Sequence, residues 1–148
     1  RLNVMILGSG EKQIENELKE LSGTYSNFAL DLGYKEYLSH KIYASSDFLL
    51  MPSRVEPCGL NQMYAMRYGT VPIVRYIGGL RDTVEDISTG GSGINFGDAT
   101  AEDAVNAMHR AMHIYHDHEI IKNLIQSNMD FDFSWDKSAH IYLELYRK

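Results

Sequence analysis

Five short apolar runs alternate with segments of helical periodicity over the first two thirds of this sequence. The runs occupy residues 4–7, Phe28–Leu32, Phe48–Met51, residues 72–74 and Ile94–Phe96. Runs of this length that are apolar throughout are typical of strands in a parallel sheet, because helices cover both of its faces. The short connections between them fit repeated strand–helix–strand units. The sequence therefore predicts an α/β fold with three layers, in which a parallel sheet lies between helices.

The predicted helices between the strands cover residues 11–21, Glu36–Ser45 and residues 59–68. Gly69 follows the third helix at the position where helices commonly end. Residues 78–79 are predicted to form a glycine loop that approaches a ligand or simply turns the chain. After Asp98 the rhythm of strands stops, and we predict additional C-terminal helices. The last one carries an apolar stripe over residues 135–146, which we interpret as a packing surface and not as a platform for a sugar chain.

The composition is that of one ordinary domain. The chain has 148 residues and a net charge of −6, which argues against non-specific binding to nucleic acid. No apolar run reaches the ~18 residues that a membrane-spanning helix requires. Cys58 is the only cysteine, so an internal disulfide cannot form. We interpret His109, His113 and His116 as a solvent-exposed helix face, and the sequence indicates neither a bound metal nor a cofactor.

Residues 52–60, with the sequence PSRVEPCGL, are the strongest candidate for a binding site. They connect an apolar strand to a helix, and ligands of such folds bind beyond the carboxyl ends of the strands. Gly59 lets a ligand approach the backbone, and free N–H groups before the helix favour an anion such as a pyrophosphate. Glu56 is either an acceptor for sugar hydroxyls or a solvated loop carboxylate. Cys58 is either part of this site or a small buried apolar residue.

The same residues carry a resemblance to a known family. PSRVEPCGL is followed by YGTVPIVR at residues 68–75 and by GGLRDTV at residues 78–84. Further matching segments are GY at residues 33–34, SHKI at residues 39–42 and FSWDK at residues 133–137. In this combination the sequence resembles the bacterial and plant glycogen and starch synthases, glycosyltransferase family 5, over essentially the whole chain.

The resemblance implies the GT-B fold, in which two Rossmann-like domains face each other across a cleft. Residues 1–148 resemble the C-terminal domain, which binds the nucleotide sugar, and the N-terminal acceptor domain is absent from this sequence. The implied enzyme is a hexosyltransferase that moves glucose from ADP-glucose to the non-reducing end of an α-1,4-glucan with retention. We expect the chain alone to be inactive, because the acceptor domain and the family's basic pyrophosphate clamp are expected upstream of Arg1.

The resemblance also implies roles for individual residues. Tyr34 is similar to the aromatic residue that stacks on the adenine, although a core tyrosine is the alternative. Glu56 matches the glutamate that hydrogen-bonds the glucose and supports the developing oxocarbenium charge, and it is the expected catalytic residue. Cys58, Gly59 and Leu60 match the segment whose backbone approaches the glucose and the phosphates.

Two positions depart from related patterns. Asn61 stands where the family often has a threonine that contacts phosphate, and its amide can still donate a hydrogen bond. Tyr64 stands where the broader GT-B group often carries a second glutamate, which favours glycogen and starch synthases over sucrose and mannosyl transferases.

The partners that the resemblance implies are ADP-glucose and, mainly through the missing domain, an α-1,4-glucan. Nucleic acid and membranes are not expected partners. The expected location is the bacterial cytoplasm, or the plastid if the source is a plant. Two alternatives remain open, namely a GT-B transferase that uses another nucleotide sugar and a non-catalytic module that binds nucleotides.

Overall fold

A computed structural model describes residues 2–147. They divide into two compact units, residues 2–42 and residues 43–147. The strands are β1 (Val4–Gly8), β2 (Phe28–Leu32), β3 (Phe48–Met51), β4 (Val71–Arg75) and β5 (Ile94–Phe96). The helices are α1 (Lys12–Thr24), α2 (Glu36–Ser45), α3 (Asn61–Arg67), α4 (Gly78–Thr83), α5 (Ala101–His116), α6 (His118–Met129) and α7 (Trp135–Tyr146), with a short 3-10 helix at Ile87–Thr89.

The first unit contains a two-stranded parallel sheet. β1 pairs with β2 over their whole lengths, and α1 connects the strands and packs against β2. Gly33 follows β2 with a φ of 111°, in the left-handed region that glycine adopts without strain. Its N–H donates a hydrogen bond of 2.8 Å to the carbonyl of Gly8. This turn directs the chain out of the sheet immediately before Tyr34.

The second unit is a three-layer arrangement around a parallel sheet in which β4 lies between β3 and β5. Successive side chains of a strand point to opposite faces, so Val74 and Ile73 belong to different apolar clusters. The cluster of Val74 contains Met51, Met66, Leu80 and Val84. The cluster of Ile73 contains Ile94, Phe96, Ala107 and Ala111. Each fully buried Val, Leu or Ile side chain contributes about 1.5–3 kcal/mol to the stability of the fold. Because β4 supplies such side chains to both clusters, it is a firm base for the loops that follow the strands.

Two glycine segments differ from the expectation. The third helix begins at Asn61 and not at Gly59, because Gly59 has a φ of 75°, which a right-handed helix does not accommodate. The predicted glycine loop is the first turn of the six-residue helix α4, which begins at Gly78. Helix α3 ends at Arg67 with Tyr68 as its C-cap, and Gly69 follows Tyr68 with a φ of 83°, so it lies just beyond the helix end as predicted.

Asp86 fixes the segment that precedes β5. Its carboxylate accepts hydrogen bonds from the backbone N–H of Asn95 (2.8 Å), from Nη2 of Arg110 (2.6 Å) and from the backbone N–H of Ser88 (3.0 Å). Burial acts to raise the pKa of Asp86, but the hydrogen bonds from Arg110, Asn95 and Ser88 outweigh it and hold this pKa well below its usual range. The carboxylate is therefore ionised in the folded chain at neutral pH.

The apolar stripe of α7 is exposed and does not pack against the other described residues. No residue of α7 is buried, and the side chain of Trp135 is 86 % exposed. A helical apolar stripe indicates that a face is apolar, but it does not identify what covers that face.

His109, His113 and His116 are exposed on α5, which confirms the predicted solvated face. Within residues 2–147, no cluster of three or more His, Cys, Asp or Glu side chains is placed to hold a metal ion. No helix in this part of the chain is long and apolar enough to cross a bilayer.

Candidate functional site

Tyr34 lies in the first unit, between β2 and α2, and its side chain is 88 % exposed. The alternative of a core tyrosine is therefore wrong. Nearby, both carboxylate oxygens of Asp31 accept hydrogen bonds of 2.7 Å from Nζ of Lys35. An aromatic ring exposed in this way offers its face for stacking on a planar ligand.

The other predicted site residues lie in the second unit, on the loop that connects β3 to α3. Glu56 is half-buried, and its Oε2 accepts a hydrogen bond of 3.2 Å from the hydroxyl of Ser53. Its backbone carbonyl accepts a hydrogen bond of 3.0 Å from the N–H of Gly79. Ser53 therefore holds the side chain of Glu56 and Gly79 of α4 holds its main chain, while one carboxylate oxygen keeps its acceptor capacity for a ligand.

The first residues of α4 pack directly against this loop. A Cβ atom on Gly78 would lie 1.9 Å from the carbonyl oxygen of Glu56, and one on Gly79 would lie 2.1 Å from the carbonyl oxygen of Cys58. Only residues without a side chain allow these two backbones to approach so closely. The glycine pair therefore has a structural role, because it supports the loop that carries Glu56.

Gln62 holds the loop from the side of α3. The side chain is fully buried, and its Nε2 donates to the carbonyls of Cys58 (3.2 Å) and Gly59 (3.0 Å) and to Oγ1 of Thr83 (3.0 Å). The hydroxyl of Thr83 in turn donates to the carbonyl of Gly79 over 2.7 Å. This chain of hydrogen bonds joins α3, α4 and the loop. No local pattern in the sequence predicts the bond between Gln62 and Thr83, because it forms only when α3 and α4 meet.

The segment of Cys58, Gly59 and Leu60 lies in the turn before α3. Cys58 is exposed, so the alternative of a buried apolar residue is wrong. Among the described residues, the backbone N–H groups of these three residues have no protein acceptor. Unpaired N–H groups of this kind can donate to an anionic ligand. Asn61 begins α3 and is exposed, so that its amide is available to a ligand.

A cavity of about 400 Å³ lies beside this turn. Cys58, Leu60 and Met63 line one side, and the segment around Trp135 lines the other. At its edge, the hydroxyl and the backbone N–H of Ser134 hold the pKa of Asp132 below its usual range. No local sequence signal predicts this proximity, because the two segments are separated by about half of the chain.

Comparison with known proteins supports a relationship to glycosyltransferases. Residues 1–127 match the family described as Glycosyl transferases group 1. The glycogen synthase of Flavobacterium johnsoniae is 49 % identical over 146 residues, which cover 98 % of this chain and 31 % of that protein. The glycogen synthase of Aquifex aeolicus is 46 % identical over 146 residues, with coverage of 99 % and 31 %. The chain thus spans about a third of the length of these relatives.

Solved structures agree with the fold. The catalytic domain of starch synthase IV from Arabidopsis thaliana, solved with ADP and acarbose, matches with a TM-score of 0.87 and 38 % identity, over 99 % of this chain and 32 % of that one. The sucrose-phosphate synthase from Thermosynechococcus elongatus matches with a TM-score of 0.72 and 22 % identity, over 97 % of this chain and 37 % of that one, and supports the fold alone. Both neighbours are GT-B glycosyltransferases, which confirms the predicted fold class.

The resemblance to glycogen and starch synthases is therefore confirmed by relatives that carry those names. The family match extends over most of the sequence and includes the whole of the loop that bears Glu56. This chain belongs to the group 1 family of glycosyl transferases.

Proposed function

We propose that this chain is the donor-binding domain of a retaining glucosyltransferase that moves glucose from ADP-glucose to the non-reducing end of an α-1,4-glucan. A second, acceptor-binding domain would be supplied by residues outside this sequence, and the chain alone would not turn over. The proposal rests on the similarity to glycogen synthases and on the geometry of the loop after β3. The enzyme would work in the bacterial cytoplasm, or in the plastid of a plant.

The observation that carries the proposal is the fixed position of Glu56 beside unpaired backbone donors. Its carboxylate is oriented by Ser53 and its carbonyl by Gly79, so that little reorganisation is needed when charge develops nearby. We assign to this carboxylate the hydrogen bonding of the glucose and the support of positive charge at the anomeric carbon. The N–H groups of Cys58, Gly59 and Leu60, together with the amide of Asn61, would approach the sugar and the phosphates.

Tyr34 would stack on the adenine of the donor. An exposed aromatic side chain contributes about 1–3 kcal/mol per stacked base, and this corresponds to roughly fivefold to 150-fold in affinity. NMR titration of the ¹⁵N-labelled chain with ADP should shift the amide signals of Tyr34 and Gly59, and Tyr34→Ala should weaken binding by that factor. Tyr37→Ala is the matched control, because Tyr37 is also exposed in the same unit and contacts Lys41.

UDP and GDP in parallel titrations distinguish the alternatives. Tighter binding of UDP or GDP than of ADP would favour a transferase that uses another nucleotide sugar. If none of the three shifts the signals of Tyr34 and Gly59, the proposed donor site is wrong.

The role of Glu56 requires a complete enzyme. A hybrid in which this chain replaces the aligned third of the Flavobacterium johnsoniae glycogen synthase should transfer glucose from ADP-glucose to glycogen. Glu56→Gln keeps the size but removes the charge, and we expect kcat to fall by about 10²–10³-fold, as for other preorganised electrostatic groups. Glu102→Gln, at an exposed carboxylate in the first turn of α5, is the control and should leave kcat unchanged. A Glu56→Gln hybrid with the parental kcat would contradict the assignment.

A further inference from the structure

Arg75 ends β4 and reaches across the carboxyl ends of both neighbouring strands. Its Nε donates a hydrogen bond of 3.0 Å to the carbonyl of Gly97, which follows β5. Its Nη1 donates to the carbonyl of Arg54 over 2.9 Å and to that of Ser53 over 3.4 Å, both on the loop that follows β3. One side chain therefore joins the loops that leave the two outer strands of this sheet.

The contacts require an arginine. The planar guanidinium presents donors in fixed directions, whereas a lysine offers one rotating ammonium group on a flexible stem. A charged donor makes shorter and stronger hydrogen bonds to carbonyls than a neutral one. None of the ion pairs described between residues 2 and 147 includes Arg75, so main-chain carbonyls are its observed partners.

The segment that Arg75 holds is the segment that orients Glu56. Ser53, whose carbonyl receives Nη1, also supplies the hydroxyl that donates to Oε2 of Glu56. On the other side of the loop, the N–H of Gly79 donates to the carbonyl of Glu56. Arg75 has no described contact with Glu56 itself, so any effect on the carboxylate passes through the backbone of Ser53 and Arg54.

We propose that Arg75 is a positioning residue that sets the orientation of Glu56 by fixing the backbone of Ser53 and Arg54. The consequence for sugar binding rests on the function proposed above, whereas the anchoring of the loop does not. Two other roles for Arg75 give different experimental results. It could contribute only to the stability of the unit, or it could bind a phosphate directly through its charge.

The first measurement tests the anchor without a ligand. Arg75→Lys keeps the positive charge and Arg75→Gln removes it. Both variants lose the planar guanidinium whose donors join the two loops. In the wild-type chain the Nε–H of Arg75, which donates to the carbonyl of Gly97, should be protected from exchange. In both variants we expect hydrogen exchange of the Gly79 amide, which donates to Glu56, to accelerate about tenfold. The amide of Thr70, which donates to Ala65 within the same unit, should keep its wild-type exchange rate. Equal acceleration at Gly79 and Thr70 would mean a general loss of stability and would overturn the proposal, as would unchanged exchange at Gly79.

The second measurement compares ADP-glucose with ADP on the same chain. If Arg75 positions the carboxylate that contacts the sugar, both variants should lose at least about fivefold in affinity for ADP-glucose but less than twofold for ADP. A direct phosphate contact predicts losses for both ligands and recovery with Arg75→Lys, and this outcome would overturn the proposal. Arg81→Lys and Arg81→Gln are the controls, because Arg81 is exposed and pairs only with Asp82 over 3.6 Å among the described ion pairs. If the wild-type chain binds neither ligand, the proposed function fails, while the exchange at Gly79 still decides whether Arg75 anchors the loop.

Discussion

Replacing Gly79 with alanine should weaken the support of the loop that carries Glu56. The new Cβ would lie 2.1 Å from the carbonyl oxygen of Cys58, whereas ordinary contacts begin at 3.4 Å, so the two backbones would have to separate by about 1.3 Å. If the loop keeps its position, the overpacking costs about 1–3 kcal/mol. If the loop moves, the hydrogen bonds from Gly79 to Glu56 and from Gln62 to Cys58 are lost, at about 0.5–1.5 kcal/mol each. Both routes give a loss of about 2 kcal/mol.

Urea denaturation followed by circular dichroism measures this loss as a change in the free energy of unfolding. Gly97→Ala is the matched control in that unit, because the closest atom to its new Cβ would be a carboxylate oxygen of Asp103 at an ordinary 3.8 Å. We expect Gly97→Ala to change the free energy of unfolding by less than about 0.5 kcal/mol. If Gly79→Ala and Gly97→Ala have the same free energy of unfolding, the close approach of the two backbones does not contribute to stability and this prediction is refuted.

Three further substitutions test other contacts. Asp86→Asn should lower stability at pH 7 by about 1–2 kcal/mol, because the charge-assisted bond from Arg110 is weakened. The pKa of Asp86 is lowered on folding, so its contribution exists above the usual value of 3.8 and is lost as the pH falls below it. The difference between wild type and variant in urea denaturation should therefore shrink between pH 7 and pH 3, and a constant difference would contradict this. Gln62→Met should cost about 1–3 kcal/mol in the same assay, because the part-buried carbonyls of Cys58 and Gly59 lose their donor, and a neutral result would show that solvent replaces it. Trp135→Ala should shift the unfolding free energy by less than about 0.5 kcal/mol, since its side chain is exposed; a large loss would reveal packing that the structure does not contain.

The sequence predicts the strands well because their signal is local. The run Phe48–Met51 is apolar throughout and is followed by a proline, and it forms β3 with the predicted bounds. The start of α3 is less predictable, because Leu60 fits the helical spacing while Gly59 adopts a φ of 75°. Helix α4 has only six residues, too few for periodicity to distinguish it from a glycine loop.

Some residues of the candidate site can be predicted from the sequence and others cannot, because only some of them belong to a local motif. Glu56 and Gly59 can be found from a short motif, because the chain itself places them between a strand and a helix. Arg75 acts across the fold, on carbonyls that any residue possesses, so nothing in the local sequence marks its targets. Gln62 bonds the neighbouring carbonyls of Cys58 and Gly59, but its contact with Thr83 also depends on the fold. Contacts of this kind become visible only when the strands and helices have their relative positions.

The anchors of the loop after β3 have a consequence for how such a loop can evolve. Arg75, Gln62 and Gly79 all bind its main chain and not its side chains. Its exposed side chains at positions 54, 55 and 60 are therefore free to change while the backbone stays in place. Substitutions that change ligand preference can accumulate at these positions without changing the fold, as is common for loops carried on a rigid scaffold.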